Sequence, residues 1–247
     1  MAATKSQTPS LRAIDASRGE ATSAAPTPGS LLAAHDRLLA HYDIDRWHWT
    51  DDTPPYDICL GSILVQHTAW TNVEKALANF RAAGIDSIEA LHALDEETVA
   101  ALIRPSGTPV VKARRLRAFT TLVTEHRGFE ALFDRPPEEL RHLLLSTYGI
   151  GPETADVICL YAARHPVVVH DAYTARLCRR LGTGPEGNSY ETWRAWLDAT
   201  LPPSLTYRAR NHAAIVVHCK ETCRAKPKCG ECPLAEMCAY ANLARSG

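Results

Sequence analysis

The residues that decide the fold run from Leu143 to Ala163, LLLSTYGIGPETADVICLYAA. Two amphipathic stretches meet at Gly149-Ile150-Gly151, and Pro152 opens the second, where its missing N–H is no loss. Glycines permit the positive φ of a tight turn and let an anion come close to the backbone. Ile150 between them can plug the space between the two helices. The second helix then presents unbonded N–H groups outward, which is how a helix N-terminus holds a phosphate. A lone GxG would deserve the blander reading of a helix–turn–helix corner. The leucines before it and Thr154-Ala155 after it favour the phosphate-binding reading.

Outward from this hairpin nearly everything has helical period. Leu31, Leu32, His35, Leu38 and Leu39 share one face of a helix that fades before Asp45. Residues 58–80 form two or three helical segments entered through Pro54 and Pro55. Further helices are expected over 85–93, 96–103, 111–125, 137–146, 152–163, 171–181, 190–200 and 205–219. VVVH, Val167 to His170, is the best strand candidate, but it is short and has no partner. Residues 1–28 are rich in Ala, Ser, Thr, Pro and Gly without hydrophobic period and read as a disordered tail. The chain is read as all-α, with no repeat of fixed period.

The 247 residues suffice for one large or two modest domains, and a net charge of −1 does not announce a polyanion partner. Any nucleic-acid surface must come from local clustering, as in Lys112, Arg114, Arg115 and Arg117, or Arg176, Arg179 and Arg180. Arg208, Arg210, Lys220, Arg224, Lys226 and Lys228 form a third group. No apolar run approaches membrane-spanning length and no signal-type segment follows Met1, so the chain reads as cytoplasmic. Cys59, Cys159, Cys178 and Cys219 read as buried thiols. Cys223, Cys229, Cys232 and Cys238 follow C-x5-C-x2-C-x5-C. Zinc usually takes two C-x2-C knuckles across a longer loop. One short pair flanked by wider gaps favours a bulkier 4Fe-4S cluster on four thiolates, with zinc second and a disulfide a distant third.

The pattern L-x-x-x-x-G-I-G-x-x-T-A, followed by VVVHDAYTARLCRRLG and the cysteine run, resembles the endonuclease III superfamily of helix-hairpin-helix DNA glycosylases. The resemblance extends upstream through PPYDICLGSILVQHTAWTNVEKAL and LIRPSG, and covers about residues 31–240. Those upstream blocks look most like the endonuclease III-related branch that includes 3-methyladenine glycosylases. The first cysteine gap holds five residues, where the family more commonly has six. The resemblance implies a helical barrel domain over 54–164 and a cluster domain from 29–53 plus 165–247, with DNA bound in the cleft between them. It implies a 4Fe-4S cofactor, and a monomer acting on double-stranded DNA with a damaged base or abasic site.

The resemblance also implies roles. Asp171 is the catalytic aspartate, since breaking an N-glycosidic bond develops positive charge on the sugar that a fixed carboxylate stabilises. Asp171 could equally N-cap the helix that starts at Ala172. Glu153 stands where bifunctional relatives carry a lysine that forms a Schiff base; a carboxylate cannot form an imine, so it is expected to hold a water or to be a helix-end acid. Lys112 and Lys220 are the nearest alternative amines. Gly149, Ile150, Gly151, Gln66, His67, Lys112 and Arg114 are expected to contact DNA. Trp47, Trp49 and Trp70 are expected to offer π-faces to an extruded base. The expected activity is a mainly monofunctional DNA glycosylase. The alternatives are a damaged-DNA binder with weak chemistry, and an endonuclease III with residual lyase activity.

Overall fold

The computed structural model describes residues 29–49 and 52–246. The expected tail, residues 1–28, lies outside the described residues. Thirteen α-helices and no strand occur among the described residues, and no helix is long and apolar enough to cross a membrane.

The first buried cluster is built around α2 (Pro55–Leu64), which Pro54 and Pro55 start and whose residues from Ile58 to Leu64 are all buried. Around it stand α3 (Trp70–Ala82), α4 (Ile88–His92), α5 (Glu96–Leu102) and α6 (Pro109–Glu125). The shell is closed by α7 (Phe129–Phe133), α8 (Pro137–Leu145) and α9 (Pro152–Val157), the last continued by a π-turn over Ile158–Ala162. Ile63, Val73, Phe80, Phe119, Leu144 and Ile158 meet there with essentially no exposure. Ser87 and Asp95 cap α4 and α5 by accepting backbone N–H groups of Ala90 and Thr98, each cap worth about 1 kcal/mol.

The second cluster joins α1 (Gly29–His41) to α10 (Ala172–Leu181), α11 (Tyr190–Thr200), α12 (Leu205–Glu221) and α13 (Ala239–Ser246). Leu31, Leu38, Leu177, Trp193 and Ile215 are its centre. Residues 163–171 carry the chain from one core to the other. They include the strand candidate, which is extended but pairs with nothing among the described residues. Successive side chains of an extended segment point to opposite sides. Val167 and Val169 therefore enter the first core and Val168 enters the second, so the apolar triplet fastens two cores instead of joining a sheet.

Candidate functional site

The hairpin forms between α8 and α9. Gly149 has φ +82°, and a Cβ there would lie 2.2 Å from Arg115 Cγ, so both backbone and neighbour require glycine. Gly151 departs from expectation. It sits at φ −92° as N-cap of α9, and a Cβ there would meet nothing within 4 Å. It keeps the helix end open instead of making the turn. Ile150 is buried as a plug. The Gln66 amide donates to Gly149 O (3.2 Å) and Thr154 Oγ1 (3.0 Å) and accepts from Arg115, so this side chain braces the hairpin from inside. His67, next in sequence, is exposed with φ +58°.

The basic rows divide sharply. Lys112 was expected at a phosphate, but it is 1% exposed and its ammonium donates to Leu64 O (2.8 Å) and Ser106 O (2.6 Å). Burial, then Arg115, lowers its pKa to about 8. It ties α6 to the C-terminus of α2 and is unavailable to DNA or as a nucleophile. Arg117 donates to His92 O and Leu94 O. Arg176 donates to Cys219 O, and Arg208 to several carbonyls near Leu201. Arg114 remains exposed, 3.6 Å from Glu96, and Lys220, Arg224 and Lys226 are exposed near the cysteine run.

Asp171 is the N-cap of α10, accepting the Thr174 N–H at 2.7 Å. It is 8% exposed, and its Oδ2 lies 3.7 Å from Nε2 of the equally buried His212. Burial alone would raise its pKa, but His212 and the Thr174 N–H more than offset that, and the carboxyl is held below its usual range. Glu153, second residue of α9, is open to solvent on one side. The protein wall on the other side, then the charge of Asp171, push its pKa up to about 7 against the opposing effect of His212. Two carboxyls are thus set apart, one firmly ionised and one titrating near neutrality. His212 Nδ1 lies 2.8 Å from the Tyr161 hydroxyl, which donates to Ala209 O at 3.0 Å. His212 lies outside every sequence motif, and Tyr161 sits at the end of the Leu143–Ala163 stretch with no role assigned to it there.

The three tryptophans come together beside this group. Trp47 and Trp49 stand edge to face at 5.9 Å, Trp49 and Trp70 at 5.6 Å, and His48 stacks on Trp70 at 3.7 Å. Trp49 is buried in the first core, whereas Trp47 and Trp70 are half-buried. Trp47 reaches His212 at 6.3 Å between ring centres, and the Lys220 ammonium sits 5.7 Å from the Trp47 ring centre.

The four cysteines of the C-terminal run line one shared pocket together with Arg180 and Tyr240. Among the described residues no three His, Cys, Asp or Glu side chains converge as on a single ion. Thiols spread around a shared pocket suit a cluster better than zinc, and the five-residue first gap still leaves all four on its lining. Arg180 donates to Cys223 Sγ at 3.1 Å, and His218 Nε2 lies 3.8 Å from Cys232 Sγ. A hydrogen bond from Cys219 holds the Cys223 thiol well below its usual range; burial opposes this, and His218 and Arg180 reinforce it. Low-pKa thiolates are the form that binds metal.

Known proteins resemble this chain in sequence and fold. Residues 60–203 match the model of the HhH-GPD superfamily base excision DNA repair proteins, and residues 226–238 match the iron–sulfur binding domain of endonuclease III. The protein named "Putative DNA repair glycosylase MJ1434" from Methanocaldococcus jannaschii is 38% identical over 205 residues, covering 81% of this chain and 92% of that one. Endonuclease III of Escherichia coli strain K12 is 26% identical over 188 residues, covering 75% and 84%. Among solved structures, the H. pylori 3-methyladenine DNA glycosylase MagIII bound to 1,N6-ethenoadenine has a TM-score of 0.65 at 25% identity, covering 78% and 95%. A non-covalent endonuclease III–DNA complex has the same fold, with a TM-score of 0.74 at 20% identity, covering 90% and 99%. With its hairpin, its helix-capping aspartate and a C-terminal 4Fe-4S motif, the chain belongs to the HhH-GPD superfamily of base excision DNA repair proteins.

Proposed function

We propose that this protein is a monofunctional DNA N-glycosylase in which Asp171 stabilises the sugar cation and water, not an amine, completes the reaction. The observation that carries this reading is the pair Asp171 and Glu153: an ionised, buried carboxylate beside a carboxyl at the hairpin position where a lyase needs an amine. Gly149 and Gly151 bring a DNA phosphate to the N-terminus of α9, which sets the extruded nucleotide over α10. As the base departs, charge builds on the sugar, and the fixed Asp171 carboxylate stabilises it without having to reorganise. Lys112 cannot substitute for the missing amine, since its ammonium is buried between two carbonyls.

Trp47 lies edge-on to His212, the partner of Asp171, and an indole face attracts cationic or electron-poor rings. Alkylated and etheno purines are therefore the first substrates to test, in keeping with the ligand bound in the MagIII structure. The cluster supplies a rigid metal-held loop at the end of the second core when bound, and Arg224 and Lys226 project from that loop toward solvent. The test is incubation with duplexes carrying alkylated, etheno, oxidised or abasic sites, with and without alkali, plus borohydride trapping. Base release with alkali-dependent strand cleavage and no trapped adduct is expected. A borohydride-trapped adduct from the wild-type protein would overturn the monofunctional assignment, and tight binding without base release would make the chain a damage-binding protein.

A further inference from the structure

His48 lies outside every helix, yet its ring is enclosed by three tryptophans. The imidazole centre is 3.9 Å from that of Trp47 and 3.7 Å from that of Trp70, with the planes 35° and 20° apart. One face of a five-membered ring has room for a single indole at such a distance, so the two indoles lie on opposite faces. Trp49 is the floor beneath all three. Trp47 and Trp70 stand perpendicular to it at 5.9 and 5.6 Å, and the imidazole crosses it at 5.0 Å and 73°. The floor and the far wall are fixed. Trp49 is buried in the first core, while Trp70 donates to Glu74 Oε1 at 3.1 Å and rests on Gly61, where a Cβ would come within 3.0 Å of its ring. The imidazole is not fixed in this way: it is half-buried, and no hydrogen bond reaches its ring among the described residues. Burial, then Lys220 and His212, lower its pKa to about 3, so the ring is neutral.

We propose that His48 is a displaceable plug: its ring occupies the seat of the extruded base, and a purine enters between Trp47 and Trp70 by swinging it out. This rests on the glycosylase reading above. The position of the slot supports it at both ends. Trp70 opens α3 directly after the segment of Gln66 and His67, and Gln66 bonds the hairpin. Trp47 lies edge-on to His212, the partner of Asp171. The slot therefore runs from the hairpin side toward Asp171. A purine contains the same five-membered ring fused to a six-membered one, so it covers more of both indoles than the imidazole does. An electron-poor or cationic purine gains further from the two indole faces. Clearing the plug lowers the affinity for every base by the same factor, so a base that stacks no better than imidazole gains little by entering.

The experiment measures the affinity of the full chain for two duplexes. One carries 1,N6-ethenoadenine on a fluorinated sugar that blocks base release, and the other carries an abasic-site analogue. Wild type, His48→Ala and His48→Phe are compared, with melting temperature in parallel. His48→Ala is expected to bind the ethenoadenine duplex about tenfold more tightly, because the slot no longer has to be cleared, and the abasic duplex within about twofold of wild type, because no base enters. His48→Phe puts a larger ring in the slot and is expected to weaken the first affinity while sparing the second. It serves should His48→Ala fail to fold. In wild type the His48 ring protons, shifted upfield between two indoles, are expected to move to ordinary positions with the ethenoadenine duplex and to stay with the abasic one. Unchanged or weaker binding of His48→Ala to the ethenoadenine duplex, an equal change on both duplexes, or ring protons that stay put overturns the plug. Base release from the cleavable ethenoadenine duplex is measured separately with wild type. Release together with any of those outcomes leaves the glycosylase reading standing, whereas no release together with the expected gain in His48→Ala leaves the plug and overturns that reading.

Discussion

Asp171 does two jobs with one side chain, and the two can be separated. As N-cap it satisfies an otherwise unbonded amide of α10, and asparagine does this as well as aspartate. As a charge beside the sugar it has no neutral substitute. Asp171→Asn should therefore keep the melting temperature and abasic-analogue affinity near wild type while base release falls by about 10²-fold or more. Asp171→Ala should lose activity and also about 1 kcal/mol of stability. Glu153 makes the opposite electrostatic case. Its folded pKa, about 7, lies above the ordinary 4.5, so its contribution to stability is fully present below about pH 4.5 and is lost as pH rises through 7. Glu153→Gln should melt at the wild-type temperature near pH 4 and above it at pH 8, by a small margin because the side chain is partly in solvent. Thermal melts at the two pH values check the sign.

At this scale the sequence was legible where a motif fixed a position and silent where only tertiary contact did. The nearness of Asp171 and Glu153 to each other was legible from the hairpin outward. His212 was not, because nothing in NHAAIVVHC separates it from His218, which faces the cysteine run instead. Lys112 was misread, although the signal was present. Lys112, Leu116, Phe119 and Val123 fall at i, i+4, i+7 and i+11, the buried face of α6. A lysine on an apolar stripe has its amine committed to carbonyls, and the neighbouring arginines disguised that as a basic patch.

At the scale of elements, α9 is the piece on which the site depends, and it is held from two sides. On one side Gln66 and Arg115 grip the hairpin. On the other, Asp156 is fully buried, receiving Arg141 Nε at 2.8 Å and the Tyr190 hydroxyl at 2.8 Å, while Arg141 also bonds Glu191 at 2.6 Å. That network spans α8, α9 and α11. Removing one member strands the rest, so Arg141→Met should cost about 3 kcal/mol or more in chemical denaturation. The hairpin glycines should differ in kind. Gly149→Val meets a positive φ and Arg115, and should weaken both stability and DNA binding. Gly151→Ala has open space and ordinary φ, so it should fold normally and show only the loss of close phosphate approach, measured as weaker binding to an abasic duplex. The long helices were legible from their period and caps. The short α7 and α13 were not among the expected helices.

For the whole molecule, the two cores meet where chemistry is proposed, and α10 connects that place to the cluster. Asp171 caps its N-terminus, while Arg180 near its C-terminus donates to Cys223 Sγ and to Arg224 O. Nine residue steps along the helix separate the two, about 14 Å at 1.5 Å per residue, with no break between. The cysteine run also closes the second core, because Cys223, Leu234 and Cys238 are buried members of it. Binding energy at a structural metal site is folding energy, so its loss should fall on the second core first. Cys232→Ser should give a protein without the brown colour of an iron–sulfur site. Amides of α10 and α13 should exchange faster with solvent while those of α2, at the centre of the first core, keep their protection. Base release should fall as well, although Cys232 touches no DNA, because the capped end of α10 shares the rigidity of its other end. Hydrogen exchange that leaves α10 unchanged, together with wild-type base release, would show instead that the cluster holds only its own loop.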